Sequence, residues 1–323
     1  MTLRLLLEPR SSGVESLVLA VVACGADYLR DWERLALPSW ERYAEREGYG
    51  LAVLSESRLP ADANVAWNKF ILPRLVCDEL GHRGNVLVLD ADQAISPLAP
   101  AIDTSADSYG LVALEEWTDE TVRNRKLTGF LRRSFVDPDY PLDSVLIMSR
   151  QDWEDGQLLD LGGALPISSG FMLVPSNLVD EFAGLVEFVF DPDAAWDGGG
   201  GDQIFASREL QMRRHHFLDR RWQGIWPNIM SDRYPSLYFE LPVPVRTAQA
   251  AVASALFDHW CIHFATSWPE KQFWGVDWLS YWDDRFGRER TEELNAYISS
   301  VISPRSYGRI PAPEARLIAD ADE

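Results

Sequence analysis

Two carboxylates one residue apart, Asp90 and Asp92, close the run Gly84-Asn85-Val86-Leu87-Val88-Leu89-Asp90-Ala91-Asp92. Val86 to Leu89 is continuously apolar, the pattern of a strand buried on both faces of an α/β sheet. Residues two apart on a strand point the same way, so both carboxylates can leave the sheet's edge on one side. Converging anions at the end of a buried strand cost free energy unless a cation lies between them. Oxygen ligands of this hardness suit Mg²⁺ or Mn²⁺, ions that complete their shell with substrate phosphates. Aspartates also cap helices and line solvated turns, and a lone Asp-x-Asp leaves both readings open.

The elements that would position this pair alternate. Leu17 to Cys24 is a second apolar, β-branched run, and Gly25-Ala26-Asp27 makes its turn. From Tyr28 to Glu47 the residues Leu29, Trp32, Leu35, Trp40 and Tyr43 recur at helical spacing, with Pro38 placed to split the helix in two. Gly48 ends it, and Tyr49 to Leu54 is another strand. Val65 to Leu80 followed by the Val86 strand repeats the unit. Such alternation predicts a parallel sheet covered by helices, with ligands bound beyond the carboxyl ends of the strands. Both Ala23-Cys24 and Asp90–Asp92 fall there. Residues 1–13, broken by Pro9, Ser11, Ser12 and Gly13, read as a loosely attached lead.

Beyond residue 100 the pattern loosens. Tyr109 to Leu114 reads as a strand. Arg123, Arg125, Lys126, Arg132 and Arg133 cluster in an otherwise acidic chain, either as an exposed helix face or as a flap over an anionic ligand. Leu165 to Val174 is a strand interrupted by Ser168-Ser169-Gly170, and a glycine within a strand marks close approach of a backbone or ligand. Asn177 to Phe190 has amphipathic helical spacing. Four glycines, 198 to 201, open into Asp202-Gln203 at a helix start, as a linker or as backbone that yields to substrate. No Gly-Lys-Ser/Thr follows, so this is not a phosphate-cradling P-loop. A short helix is expected over Ala248 to Leu256, ahead of the stretch Cys261-Ile262-His263-Phe264.

Composition limits the rest. At 323 residues, 46% hydrophobic and 25% charged, the chain can bury a large core. A net charge of −20 argues against nucleic acid as a partner, because phosphate backbones are held by clustered lysine and arginine. No apolar run reaches the roughly 20 residues of a membrane span, and no signal peptide is read. Three cysteines (24, 77 and 261) without metal-ligand spacing fit a reducing cytoplasm. Thirteen tryptophans suit a core, and those at 196, 222, 226, 268 and 274 suggest an aromatic-lined cleft for a glycan or aryl acceptor.

Taken in order, Trp67-Asn68-Lys69-Phe70, Val-Leu-Val-Leu-Asp90-Ala91-Asp92, Ile-Ser168-Ser169-Gly170, Gly201-Asp202-Gln203 and Ile-His263-Phe264 resemble a GT-A-fold glycosyltransferase. The likeness is to the retaining glycogenin-like and galactosyltransferase-like (family 8-type) enzymes, over roughly residues 16 to 275. It implies a Rossmann-like α/β fold with a mostly parallel central sheet and helices on both faces. It also implies that Asp90 and Asp92 hold Mn²⁺ or Mg²⁺ against the donor's diphosphate, with His263 as third ligand and His259 as the competing candidate. Ala23, Asp27 and Tyr28 match the base-binding edge, and Ala91 lies between the two aspartates. Lys69 matches a basic neighbour of the donor, though an exposed helix lysine is the plainer reading. Ser169 and Gly170, with Ser168, match the sugar-contacting stretch. Asp202 and Gln203 match the pair beside the anomeric carbon. The chain departs from the family where Gly and Lys-Pro-Trp follow the histidine: the glycine is missing, and Lys271 sits later.

The domain reading is an N-terminal lead (1–13), a glycosyltransferase domain over 14–290 and a C-terminal helix with acidic tail (291–323). Residues 14–110 form the nucleotide-binding half of that domain and 111–290 the acceptor-binding half. The expected function is transfer of a hexose from a nucleotide-diphosphate sugar, UDP-glucose or UDP-galactose foremost, to an acceptor hydroxyl with retention. The acceptor is a glycan, small molecule or protein, and the oligomeric state stays open. The alternatives are a sugar-binding relic on the same fold, an inverting enzyme, or a sugar-nucleotide nucleotidyltransferase. The last normally carries a glycine-rich basic loop where this chain has Cys24-Gly25-Ala26-Asp27-Tyr28.

Overall fold

The computed structural model describes residues 2–61, 63–114, 131, 167–187, 201–265 and 271–301. In chain order the elements are β1 (Leu3–Leu7), β2 (Leu17–Val22), α1 (Ala26–Leu35), α2 (Leu37–Glu47), β3 (Gly50–Leu54), α3 (Asn68–Leu80), β4 (Asn85–Asp90), β5 (Gln93–Ile95), β6 (Tyr109–Ala113) and β7 (Ile167–Val174). They continue with α4 (Val179–Gly184), α5 (Gly201–Gln211), β8 (His215–Phe217), β9 (Gly224–Ile225), α6 (Trp226–Arg233), α7 (Val245–Asp258), β10 (Cys261–His263), α8 (Lys271–Trp274), α9 (Trp278–Phe286) and α10 (Arg288–Val301).

Alternation along the central strands assigns their side chains to two cores. Leu17, Leu19, Val21, Leu51, Val53, Leu87 and Leu89 pack on one face with Trp32, Trp40 and Tyr43 of α1 and α2. Val18, Ala20, Ala52, Leu54, Val86 and Val88 pack on the other with Phe70, Phe182 and Phe205 of α3, α4 and α5. That is why these strands read as unbroken apolar runs: each face meets a helical layer.

Among the described residues, seven strands form one sheet in the order β1-β3-β2-β4-β7-β6-β8. β2 is parallel to β3 and β4, and β6 to β8, whereas β7 is antiparallel to both β4 and β6. Only β7 and the edge strand β1 therefore oppose the common direction among the described residues, giving the mostly parallel α/β sheet that was expected. A smaller sheet, β5-β10-β9, begins just past the carboxyl end of β4, at Gln93.

Pro38 lies in the first turn of α2, and the long helical run divides at Ala36, as its missing N–H requires. Gly48 then closes α2 in the left-handed conformation. Residues 1–13 differ from expectation. Leu3–Leu7 pairs antiparallel with β3 and buries Leu3 in the second core; the breakers Pro9, Ser11, Ser12 and Gly13 come after that strand, in the connection to β2.

The helix foreseen over Asn177 to Phe190 is a short turn leading into α4, which ends at Gly184. The aromatic-lined cleft is also revised. Trp222, Trp226 and Trp274 are buried in the first core, where Trp226 packs on Phe264 and Phe273. Trp196, Trp268, the glycines 198 to 200 and the basic cluster at 123–133 lie outside the described residues.

Candidate active site

β4 carries Asp90 to the carboxyl end of the central sheet. Because β7 runs against β4, its beginning lies beside β4's end, with Leu89 opposite Phe171. Gly170 thus stands next to Asp90, and a Cβ added there would come within 2.5 Å of the Asp90 Oδ2. The glycine within the strand marks a close approach, and the approaching group is this carboxylate. Ala91, 2% exposed, turns the chain. Asp92 is tied down through its carbonyl, which accepts the N–H of Phe264 at 2.8 Å.

That bond sets β10 beside β5, with His263 opposite Gln93. The His263 Nε2 lies 3.1 Å from Asp92 Oδ1 and 3.6 Å from Asp90 Oδ2. One ligand atom each from Asp90, Asp92 and His263 falls within 4.8 Å of the others. Two carboxylate oxygens and an imidazole nitrogen, delivered by two separate strands and a turn, fit a divalent cation of the Mg²⁺ and Mn²⁺ class. His259 takes no part in this group. It caps α7, its Nδ1 is 3.1 Å from the carbonyl of Ala255, and its ring fills the space over Gly224.

A second cluster adjoins the first. Lys69 Nζ lies 2.7 Å from Asp90 Oδ1 and 2.6 Å from Asp202 Oδ2, and Ser169 Oγ donates to that same Asp202 oxygen at 2.7 Å. Lys69 is 6% exposed, so the reading as an exposed helix lysine is overturned. The first turns of α3 are buried against the sheet, and a lysine is tolerated there because two carboxylates pair with it. Asp202 stands in the first turn of α5, where the helix dipole favours an anion.

Electrostatics links the clusters. Burial lowers the Lys69 pKa, but Asp90 and Asp202 outweigh it, so the ammonium is held charged well above its ordinary range. Burial raises the Asp202 pKa, but Lys69 and Ser169 leave it net lowered. For Asp92, burial is likewise outweighed by His263, and its pKa falls. The imidazole of His263 loses affinity for its proton by burial and regains more from Asp92 and Asp90, so its pKa is raised.

The other expected residues are less tightly assembled. Ala23 is buried at the end of β2. Asp27, in the first turn of α1, is exposed and pairs with Arg30 at 2.9 Å. Tyr28 leaves 46% of its surface in water, and its hydroxyl pKa is driven up by desolvation and then by Asp92 and Asp90. Ser168 Oγ is turned to its own strand, accepting the N–H of Gly170. Gln203 is exposed on α5. Lys271 begins α8, but its side chain lies outside what is described.

Two buried amides were not singled out in the sequence. Gln93, fully buried in β5, donates from Nε2 to the carbonyl of Gly170 (2.7 Å) and to Gln223 Oε1 (3.2 Å). Gln223 Nε2 lies 2.6 Å from His263 Nδ1. A glutamine immediately after Asp-x-Asp, opening the triplet Gln93-Ala94-Ile95, was the available signal.

No protein-family model matches the chain, and no curated protein does. Among solved structures, a glycosyltransferase involved in glycosylation of the major capsid of PBCV-1 is 12% identical with a TM-score of 0.46, over 80% of this chain and 97% of that one. The glycosyltransferase GlyE of Streptococcus pneumoniae TIGR4 is 11% identical with a TM-score of 0.41, over 86% of this chain and 64% of its own length. The galactosyltransferase LgtC, in complex with donor and acceptor sugar analogues, is 11% identical with a TM-score of 0.38, over 92% and 98%. At these scores and identities the neighbours carry no weight in assigning the chemistry.

Proposed function

We propose that the protein is a metal-dependent glycosyltransferase. It would move a hexose from a nucleotide-diphosphate sugar, UDP-glucose or UDP-galactose foremost, to a hydroxyl of a glycan, small molecule or protein, with retention. The observation that carries this reading is the meeting of Asp90, Asp92 and His263 within 4.8 Å at the carboxyl end of β4, beside the Lys69–Asp202 pair. A bound Mn²⁺ or Mg²⁺ would supply charge stabilisation to the departing diphosphate.

The chain's own residues divide the remaining work. Asp90, Asp92 and His263 hold the cation. Lys69 sets Asp90 and Asp202 at a fixed separation on either side of one ammonium. Asp202, kept ionised by Lys69, and its neighbour Gln203 offer oxygens to an oxocarbenium-like sugar. Ser169 and Gly170 line the same edge and orient the sugar. Ala23, Asp27 and Tyr28 form the rim for the base, and Lys271 adds charge near the diphosphate. The catalytic domain spans 14–290. The three free cysteines favour the reducing cytoplasm, and among the described residues no helix is long and apolar enough to cross a membrane.

A thermal-shift screen of UDP-, GDP-, ADP- and dTDP-sugars, each with Mn²⁺ and with EDTA, tests the reading, because a ligand of the folded state raises Tm by mass action. A Mn²⁺-dependent shift with one nucleotide is expected. No shift with any of them would overturn donor binding.

A further inference from the structure

The buried amides of Gln93 and Gln223 have their orientations fixed by an acceptor that cannot turn. The carbonyl of Gly170 lies 2.7 Å from one end of the Gln93 amide, so that end must be the N–H₂. The other end accepts from the thiol of Cys261 at 3.6 Å. With Gln93 so oriented, its second N–H reaches Gln223 at 3.2 Å and can be met only by Oε1. The Nε2 of Gln223 is therefore the atom 2.6 Å from His263 Nδ1. An amide nitrogen has only protons to offer, so Nδ1 accepts and the neutral ring carries its single proton on Nε2, which donates to Asp92 Oδ1 at 3.1 Å.

This is the tautomer that excludes a cation. Nε2 is the nitrogen that faces Asp90 and Asp92, and a metal needs its lone pair. We propose that Gln223, held by Gln93, is a positioning residue that locks His263 in the metal-free tautomer, so that a cation enters only when the Gln223 amide turns over. In that exchange the Nε2 proton leaves to solvent, a solvent proton is taken up on Nδ1, and Gln223 Oε1 becomes its acceptor, with no net change in protons. The turned amide then sets its N–H₂ against that of Gln93, so the donor bond to Gln223 is given up on metal binding. The lock rests on the metal centre proposed above and sets how readily that centre fills.

The test has two parts. In EDTA-treated protein, at an alkaline pH where the ring is neutral, ¹⁵N-detected NMR of the histidine rings, assigned by loss of signal in His263→Asn, should show the Nε2–H tautomer at His263. An Nδ1–H tautomer there would overturn the lock without any variant. Mn²⁺ binding is then measured by EPR on wild type and on Gln93→Met, which adds no charge and removes the donor that holds Gln223. The lock requires Gln93→Met to bind Mn²⁺ more tightly, by about tenfold at the low end of outer-shell effects. A merely structural role for Gln93 would weaken binding. Equal or weaker binding with the Nε2–H tautomer present would overturn the gating role alone. Absence of Mn²⁺ binding by the wild type would overturn the metal centre itself.

Discussion

Gly170 and Asp90 sit so close that one must lack a side chain: a Cβ at 170 would stand 2.5 Å from Asp90 Oδ2 and 3.1 Å from Gln93 Nε2. The antiparallel pairing of β7 with β4 causes this, because it sets the two strands' ends side by side. Gly170→Ala should therefore fold, since its backbone is ordinary strand, but displace the Asp90 carboxylate. We expect Mn²⁺ affinity and turnover to fall about 10- to 100-fold, read by EPR titration and kcat with circular dichroism as the folding control. Unchanged metal affinity would show that Asp90 is not held by this contact.

Lys69 bridges Asp90 and Asp202. Lys69→Met leaves two carboxylates facing each other in a half-buried site, and should destabilise the metal-free protein by about 3 kcal/mol, measured by urea unfolding with EDTA. Added Mn²⁺ should recover part of that loss. A variant as stable as wild type would mean the pair is solvated.

Asp92→Asn keeps shape and an acceptor for His263 while removing a charge. Turnover of the donor should be lost with the far-UV spectrum intact. Full activity would sink the assignment of Asp92 as a cation ligand.

Stability should respond to pH in opposite senses with and without metal. The folded pKa of His263 is raised, so its contribution is fully present below the unfolded value of about 6.5 and is lost as pH rises through the folded value. With EDTA, Tm should therefore decline across that window. With Mn²⁺ the trend should reverse, because the cation competes with the proton for the ring. Differential scanning calorimetry from pH 5.5 to 8 with the His263→Asn control decides it; parallel profiles in EDTA and Mn²⁺ would refute the coupling.

The lowered carboxylate pKa values of Asp92 and Asp202 act at the acid end. Their stability is present above the unfolded value of about 3.9 and is lost as pH falls through the folded values. Acid unfolding of Asp202→Asn should begin at a higher pH than that of wild type, because the variant lacks the carboxylate's contribution from the outset, monitored by tryptophan fluorescence; an unchanged onset would count against the pairing with Lys69.

Much of the frame was written locally. Val86 to Leu89 and Leu17 to Val22 are apolar on both faces, a pattern that only a sheet covered on both sides can bury, and the first of these runs stops at Asp-x-Asp. Pro38 and Gly48 fix helix limits through a missing N–H and a left-handed turn, both properties of single residues. What the sequence left undecided needed contacts across long stretches of chain. Leu3–Leu7 reads as a stray lead until β3 supplies its partner. Lys69 looks like a surface lysine until α3 packs on the sheet and brings it to Asp202, and His259 and His263 differ only in that β10 pairs with β5. Hydrogen-bond direction through Gln93 and Gln223 is more remote still. It depends on a backbone carbonyl of β7, a thiol of β10 and an imidazole meeting around two amides, and only tertiary structure brings those groups together.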